Sequence, residues 1–185
     1  MLSLAEYTAR SFRTPRPVPF GCAIYHTAAG ALLLRARNAV AAQSDPTAHA
    51  ELRAIRLATR RLRTLSLAGF TLYTTCEPCP MCMSAALWAG VDRVVYGATI
   101  AQCNQHCRQI QIPAREVARR SDMPCKISGP VCGEACHALF THPAMLRAFR
   151  TWSTAHSRKS AGRTGSAPAG AAAAGKPRRK EAGEG

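Results

Sequence analysis

Phe70-Thr71-Leu72-Tyr73-Thr74-Thr75-Cys76-Glu77-Pro78-Cys79-Pro80-Met81-Cys82 is the stretch on which the fold turns. Its first part, Phe70 to Thr75, is a run of β-branched and aromatic residues and reads as a strand. Its second part reads as a helix start. Pro80 suits the first helical position, where a missing N–H costs nothing, and that makes Cys79 the N-cap. The helix is expected to run to about Gly90, with Arg93 to Tyr96 as the next strand.

The rest of the chain extends the same alternation. Residues 1–13 read as an opening helix, and Phe20 to His26 with Ala31 to Arg37 as a hairpin turning at Ala29-Gly30. Asp45-Pro46 has the form of a helix start, Asp as cap and Pro next, and predicts a helix to about Arg63. Leu52, Ile55 and Leu62 mark its expected apolar face, and Arg53, Arg56, Arg60 and Arg63 a basic stripe. Downstream come a short helix at Ala114 to Arg120, a strand at Pro124 to Ser128 and a final helix at Gly133 to Arg150. Strands alternating with helices after a hairpin predict an α/β fold, a mixed sheet with helices on its faces.

Composition narrows the function classes. No run of about 18 apolar residues occurs, so no membrane span is expected. The N-terminus lacks the pattern of a secretory signal, and a cytoplasmic location is expected. Nine cysteines, an odd number, fit metal binding in a reducing compartment better than a disulfide framework. Cys22, Cys76, Cys103, Cys107, Cys125, Cys132 and Cys136 form no complete ligand pattern and read as small buried hydrophobes or incidental thiols. The net charge is +15, about +10 in residues 1–156 and about +5 in residues 157–185. That balance admits nucleic acid as a partner. The Ala/Gly-rich, basic stretch 157–185 lacks aromatics and leucine and reads as a disordered tail behind a single domain at 1–156.

The chemistry lies in His49-Ala50-Glu51 and, after a gap of 26 residues, Pro78-Cys79-Pro80-Met81-Cys82. A spacing of three puts Cys79 and Cys82 on one helix face. The helix start favours thiolate over thiol, and thiolates with an imidazole suit Zn²⁺. His49, Cys79 and Cys82 make three protein ligands, which leaves one tetrahedral position for water, as catalytic zinc sites do. Glu51, two residues from His49, is placed to take a proton from that water and return it to a leaving nitrogen.

These residues, within Ser44-Asp45-Pro46-Thr47-Ala48-His49-Ala50-Glu51 and Leu72 to Cys82, resemble the zinc-dependent cytidine and deoxycytidylate deaminase superfamily, closest to its guanine deaminase and tRNA adenosine deaminase branch. The resemblance covers roughly residues 1–150. It implies a three-layer α/β/α domain with a mixed sheet of about five strands, a homodimer, and hydrolytic removal of an exocyclic amine from a nucleobase or nucleoside. It also implies that Asn38 contacts the base and that Ala50 belongs to the substrate site.

Phe20 and Trp88 match aromatic positions of guanine deaminases, where they would stack a flat base; the plainer reading of Trp88 is core. The loop after Tyr96 departs from that pattern, with Gln109-Ile110 in place of an acidic pair, and Gln109 or Asn104 as amides able to read a base. Cys103, His106 and Cys107 read as loop chemistry rather than a second metal site. A purine such as guanine is the favoured substrate. The Arg stripe and the basic tail support the alternative, adenosine in tRNA, although the lysine-bearing loop associated with the tRNA enzymes is missing. A zinc-stabilised RNA-binding module is the non-enzymatic reading.

Overall fold

The computed structural model describes residues 1–157; the segment expected as a tail lies, but for Ser157, outside the described residues. Helix α1 (Leu2–Ala9) and a 3-10 turn (Arg10–Arg13) lead into the hairpin β1 (Gly21–His26) and β2 (Leu32–Arg37). A short α2 (Val40–Gln43) precedes α3 (Ala50–Leu62), then β3 (Phe70–Cys76), α4 (Pro80–Trp88) and β4 (Arg93–Ala98). The chain continues through α5 (Ile100–Asn104), α6 (Ala114–Arg119), β5 (Lys126–Ser128), α7 (Gly133–Thr141) and α8 (Pro143–Ser157).

The five strands form one mixed sheet in the order β2-β1-β3-β4-β5. β1 runs antiparallel to β2 and β3, while β3, β4 and β5 are parallel, which requires the α4 and α5–α6 crossovers between them. Helices cover both faces. On one, Ala54, Ile55 and Ala58 of α3 and Met83, Ala86 and Leu87 of α4 pack on Cys22, Ile24, Leu72 and Val94 of the strands. On the other, Ala5 of α1, Cys136, Leu139 and Phe140 of α7, and Met145 and Phe149 of α8 pack around Cys76 and Ala98. The expected three-layer α/β/α architecture is the one observed.

Several boundaries differ from the sequence expectation. α3 does not start at Asp45-Pro46. The Asp45 carboxylate accepts from the Thr47 N–H and hydroxyl, both at 2.7 Å, and closes a local turn instead of capping a helix. The chain stays extended through His49 (φ −64, ψ 155), which becomes the true N-cap. Leu62 is exposed, because Arg63 takes the left-handed conformation (φ 54) and ends α3 before that last turn reaches the core. The expected single helix from Gly133 is two. His142 is extended (φ −60, ψ 137) ahead of Pro143, whose ring disfavours a helical residue before it. α2 and α5 were not expected; α5 carries a capping box, Thr99 with Gln102, that was readable as such.

Candidate metal centre and active site

α3 and α4 pack side by side on one face of the sheet, each starting at a residue able to ligate a metal. His49 is the N-cap of α3; Cys79, extended at φ −64 and ψ 166, is the N-cap of α4, and Cys82 follows in its first turn. His49 Nδ1 lies 3.7 Å from Cys79 Sγ and 3.5 Å from Cys82 Sγ, and the three ligand atoms all fall within 4.8 Å of one another. A tetrahedral zinc ion with Zn–N and Zn–S bonds of about 2.05 and 2.3 Å holds such atoms about 3.6 Å apart. The donor set and its spacing therefore fit zinc.

Electrostatics favours the ligand state at Cys79, while His49 and Cys82 hold their protons more firmly until an ion displaces them. Hydrogen bonding from Cys82 lowers the Cys79 thiol to about 4, with a further contribution from His49, against the opposing effect of burial. Cys82 is pushed up by that same shared proton and by burial. His49 is raised, chiefly by its hydrogen bond with Cys79. Between them the two thiols give up one proton readily, and the partial positive charge of the α4 N-terminus acts in the same direction.

Glu51 sits in the first turn of α3, buried at 5 % exposure. Its Oε1 accepts a 3.0 Å bond from Thr74 Oγ1, and Cys82 Sγ lies 3.6 Å from Oε2. One oxygen is anchored to the sheet and the other is turned to the ligand cluster. Burial raises the Glu51 pKa above its ordinary value, so the carboxyl is able to hold a proton as well as accept one.

The remaining expected site residues divide. Ala50, the first residue of α3, is fully buried between His49 and Glu51. Asn38 is brought close: the Ala39 N–H bonds the Ala48 carbonyl, which ties the end of β2 to the α3 start, and Asn38 Oδ1 accepts from Val40 N–H. Phe20 turns its ring towards α7, edge-on to Phe140 at 5.1 Å. Trp88 is neither core nor near the ligands of its own chain. It ends α4 at 78 % exposure, about 12 Å along the helix axis from Pro80.

Asn104 and Gln109 are largely engaged with their own loop. Asn104 Oδ1 accepts from Gln109 N–H, and Gln109 Nε2 donates to the Cys107 carbonyl. Two residues escaped the sequence reading. One is Thr74, which only the packing of α3 on the sheet places against Glu51. The other is Glu77, a buried carboxylate that accepts from Ile100 N–H at 3.1 Å and Ala114 N–H at 3.0 Å, pinning the starts of α5 and α6. Its place between strand and helix, directly before Pro78, was the available signal.

Residues 1–98 match the family described as the cytidine and deoxycytidylate deaminase zinc-binding region. Among curated relatives, guanine deaminase of Bacillus subtilis (strain 168) is 46% identical over 80 residues, which is 43% of this chain and 50% of that protein. The probable cytosine deaminase of Schizosaccharomyces pombe is 34% identical over 118 residues, covering 60% and 70%. Among solved structures, one from a study of A-to-I editing by tRNA:A34 deaminases superposes with TM-score 0.63 at 26% identity, covering 75% of this chain and 96% of the other. The chain spans half or less of the length of the first curated relatives it matches. It belongs to the cytidine and deoxycytidylate deaminase family of zinc-binding proteins.

Proposed function

We propose that the chain is a hydrolytic deaminase that replaces the exocyclic amine of a nucleobase or nucleoside by oxygen, with a purine such as guanine as the favoured substrate. The observation that carries this reading is Glu51: a buried carboxylate held by Thr74 beside three residues able to hold a metal, and outside that group itself. His49, Cys79 and Cys82 would hold zinc, which would supply the Lewis acidity that makes water a usable nucleophile at neutral pH. Glu51 Oε2 takes the proton of the attacking water and delivers it to the departing nitrogen, so that one water is consumed and one ammonia released. Thr74 keeps the carboxylate from turning away between the two transfers. Asn38, just past β2, is the base-contacting residue of this reading, supported by the Ala39–Ala48 bond that ties its segment to the α3 start; Ala50 and Phe20 belong to the neighbouring wall.

The relatives act, by their names, on guanine, cytosine and tRNA adenosine. A small substrate is favoured here because the Arg stripe is partly engaged by the chain itself. Arg53 donates to the Arg37 carbonyl, and Arg56 pairs with Asp45 at 3.6 Å and reaches Thr47 Oγ1. Adenosine in tRNA is the second reading, favoured by the similarity to tRNA-specific adenosine deaminases and by the +15 charge. A second copy of this chain is the proposed partner, and residues 1–156 the proposed catalytic domain. Free cysteines throughout fit the cytoplasm as the compartment. Among the described residues no helix is long and apolar enough to cross a membrane.

The test is ammonia release from guanine, adenine, cytosine, their nucleosides and a tRNA anticodon stem-loop, by wild type, by Glu51→Ala and by a truncation lacking 157–185. Turnover of a free base that survives truncation and vanishes in Glu51→Ala, with zinc retained, supports the reading. Turnover of the stem-loop alone selects the second reading. RNA binding without turnover, unchanged in Glu51→Ala, leaves only a zinc-stabilised RNA-binding module.

A further inference from the structure

On the face of the sheet opposite α3 and α4, two histidines that are distant in sequence point their ring nitrogens at one another. His106 lies two residues past α5, in a turn held by His106 N–H and Cys107 N–H bonds to the Cys103 carbonyl, each 3.0 Å. His137 lies in the middle of α7, next to Cys136, which is fully buried. The two Nε2 atoms are 3.1 Å apart, with the ring planes tilted by 41°. The ring of Phe149 on α8 lies nearly parallel to that of His106, with centroids 6.4 Å apart. Both imidazoles are thus held by separate packed elements, and their Nε2 atoms face each other at a distance that holds either a shared proton or an ion.

Nitrogens about 2.05 Å from one ion stand about 2.9 Å apart at a right-angled geometry and about 3.4 Å apart at a tetrahedral one. The observed separation falls between these. Neutral imidazole is also the ligand that zinc, nickel and copper favour. Burial and the facing His137 both lower the His106 pKa, which keeps its nitrogen free of a second proton. Neither Cys103 nor Cys107 joins them in a three-ligand cluster: among the described residues the one such group is His49 with Cys79 and Cys82.

We propose that His106 and His137 form a second transition-metal site, two imidazoles with water in the remaining positions, that clamps the loop between α5 and α6 to α7. That loop carries Gln109, so an ion here ties the Gln109 segment to the layer of α7. The site is independent of the deaminase reading, because it shares no residue with the zinc centre.

The experiment uses the full, untagged chain already loaded with zinc, titrated with micromolar Ni²⁺ in equilibrium dialysis and followed by metal analysis and Tm. The expected result is one further equivalent of metal per chain and a rise in Tm that grows with free Ni²⁺. His106→Gln and His137→Gln should each keep the zinc and weaken the second equivalent by at least about tenfold. Retained zinc shows that a variant is folded, and either variant suffices. Absence of a further equivalent in the wild type would overturn the proposal and leave the pair as two rings sharing a proton. Persistence of that equivalent at full affinity in both variants would also overturn it, by placing the ion elsewhere.

Discussion

Thr74 Oγ1, in the middle of β3, donates a 3.0 Å hydrogen bond to Glu51 Oε1 in the first turn of α3, joining two side chains 23 residues apart. Both groups are buried, so the bond sets which carboxylate oxygen faces the ligand cluster. Thr74→Val keeps the shape of the side chain and removes the hydroxyl. A hydrogen bond to a charged group is worth about 1.5–3 kcal/mol. We expect kcat to fall about 10- to 100-fold with zinc content unchanged, and Thr74→Ser to restore most of it. Full activity in Thr74→Val would remove the residue from the positioning machinery.

Cys79→Ala and Cys82→Ala each take one of the three proposed ligands and one helix-start thiol. Zinc stoichiometry measured after dialysis is expected to fall towards zero in both, with a lower Tm because bound metal no longer stabilises the native state. If both variants kept one zinc per chain, the ligand assignment would be wrong.

Glu77→Gln tests a structural carboxylate rather than a chemical one. Glu77 accepts from two helix-start N–H groups, those of Ile100 and Ala114, through separate oxygens. An amide offers one acceptor, and the other N–H is left facing a donor, a loss of about 1–3 kcal/mol. We expect Tm to drop by several degrees while zinc stays bound. An unchanged Tm would mean that α5 and α6 start without this anchor.

Glu116 supplies the pH test. Hydrogen bonds from Arg119 and Arg120 lower its carboxyl from 4.5 to about 2. The native state therefore binds this proton less readily than the unfolded chain does. The stabilisation is present above 4.5 and is lost as pH falls through about 2. All three side chains are solvent-accessible, so the effect is small and salt-sensitive. The Tm deficit of Glu116→Gln is expected at neutral pH, narrowing as the solution is acidified and vanishing in molar salt. A deficit independent of pH and salt would show that the pairing is not its source.

Much of the site was written in local order. Phe70 to Cys76 is a strand because its residues are β-branched or aromatic, and α4 begins at Pro80 because that ring fits the first helical position. The spacing of Cys79 and Cys82 follows from the helix itself, as does the nearness of Glu51 to His49. These signals act within a few residues and survive being read one segment at a time.

The tertiary structure decided what depends on distant neighbours. Asp45 resembled a helix cap by sequence, yet its carboxylate closed a turn on Thr47 and left the cap to His49. The plainer reading of Trp88 was core, and the end of α4 left it exposed on this chain. Thr74 against Glu51, Glu77 against two helix starts and His106 against His137 all join residues more than 20 positions apart. No local pattern specifies such pairs. They follow from which face of the sheet each helix packs on, and that choice is made by burying apolar surface across the whole chain at once.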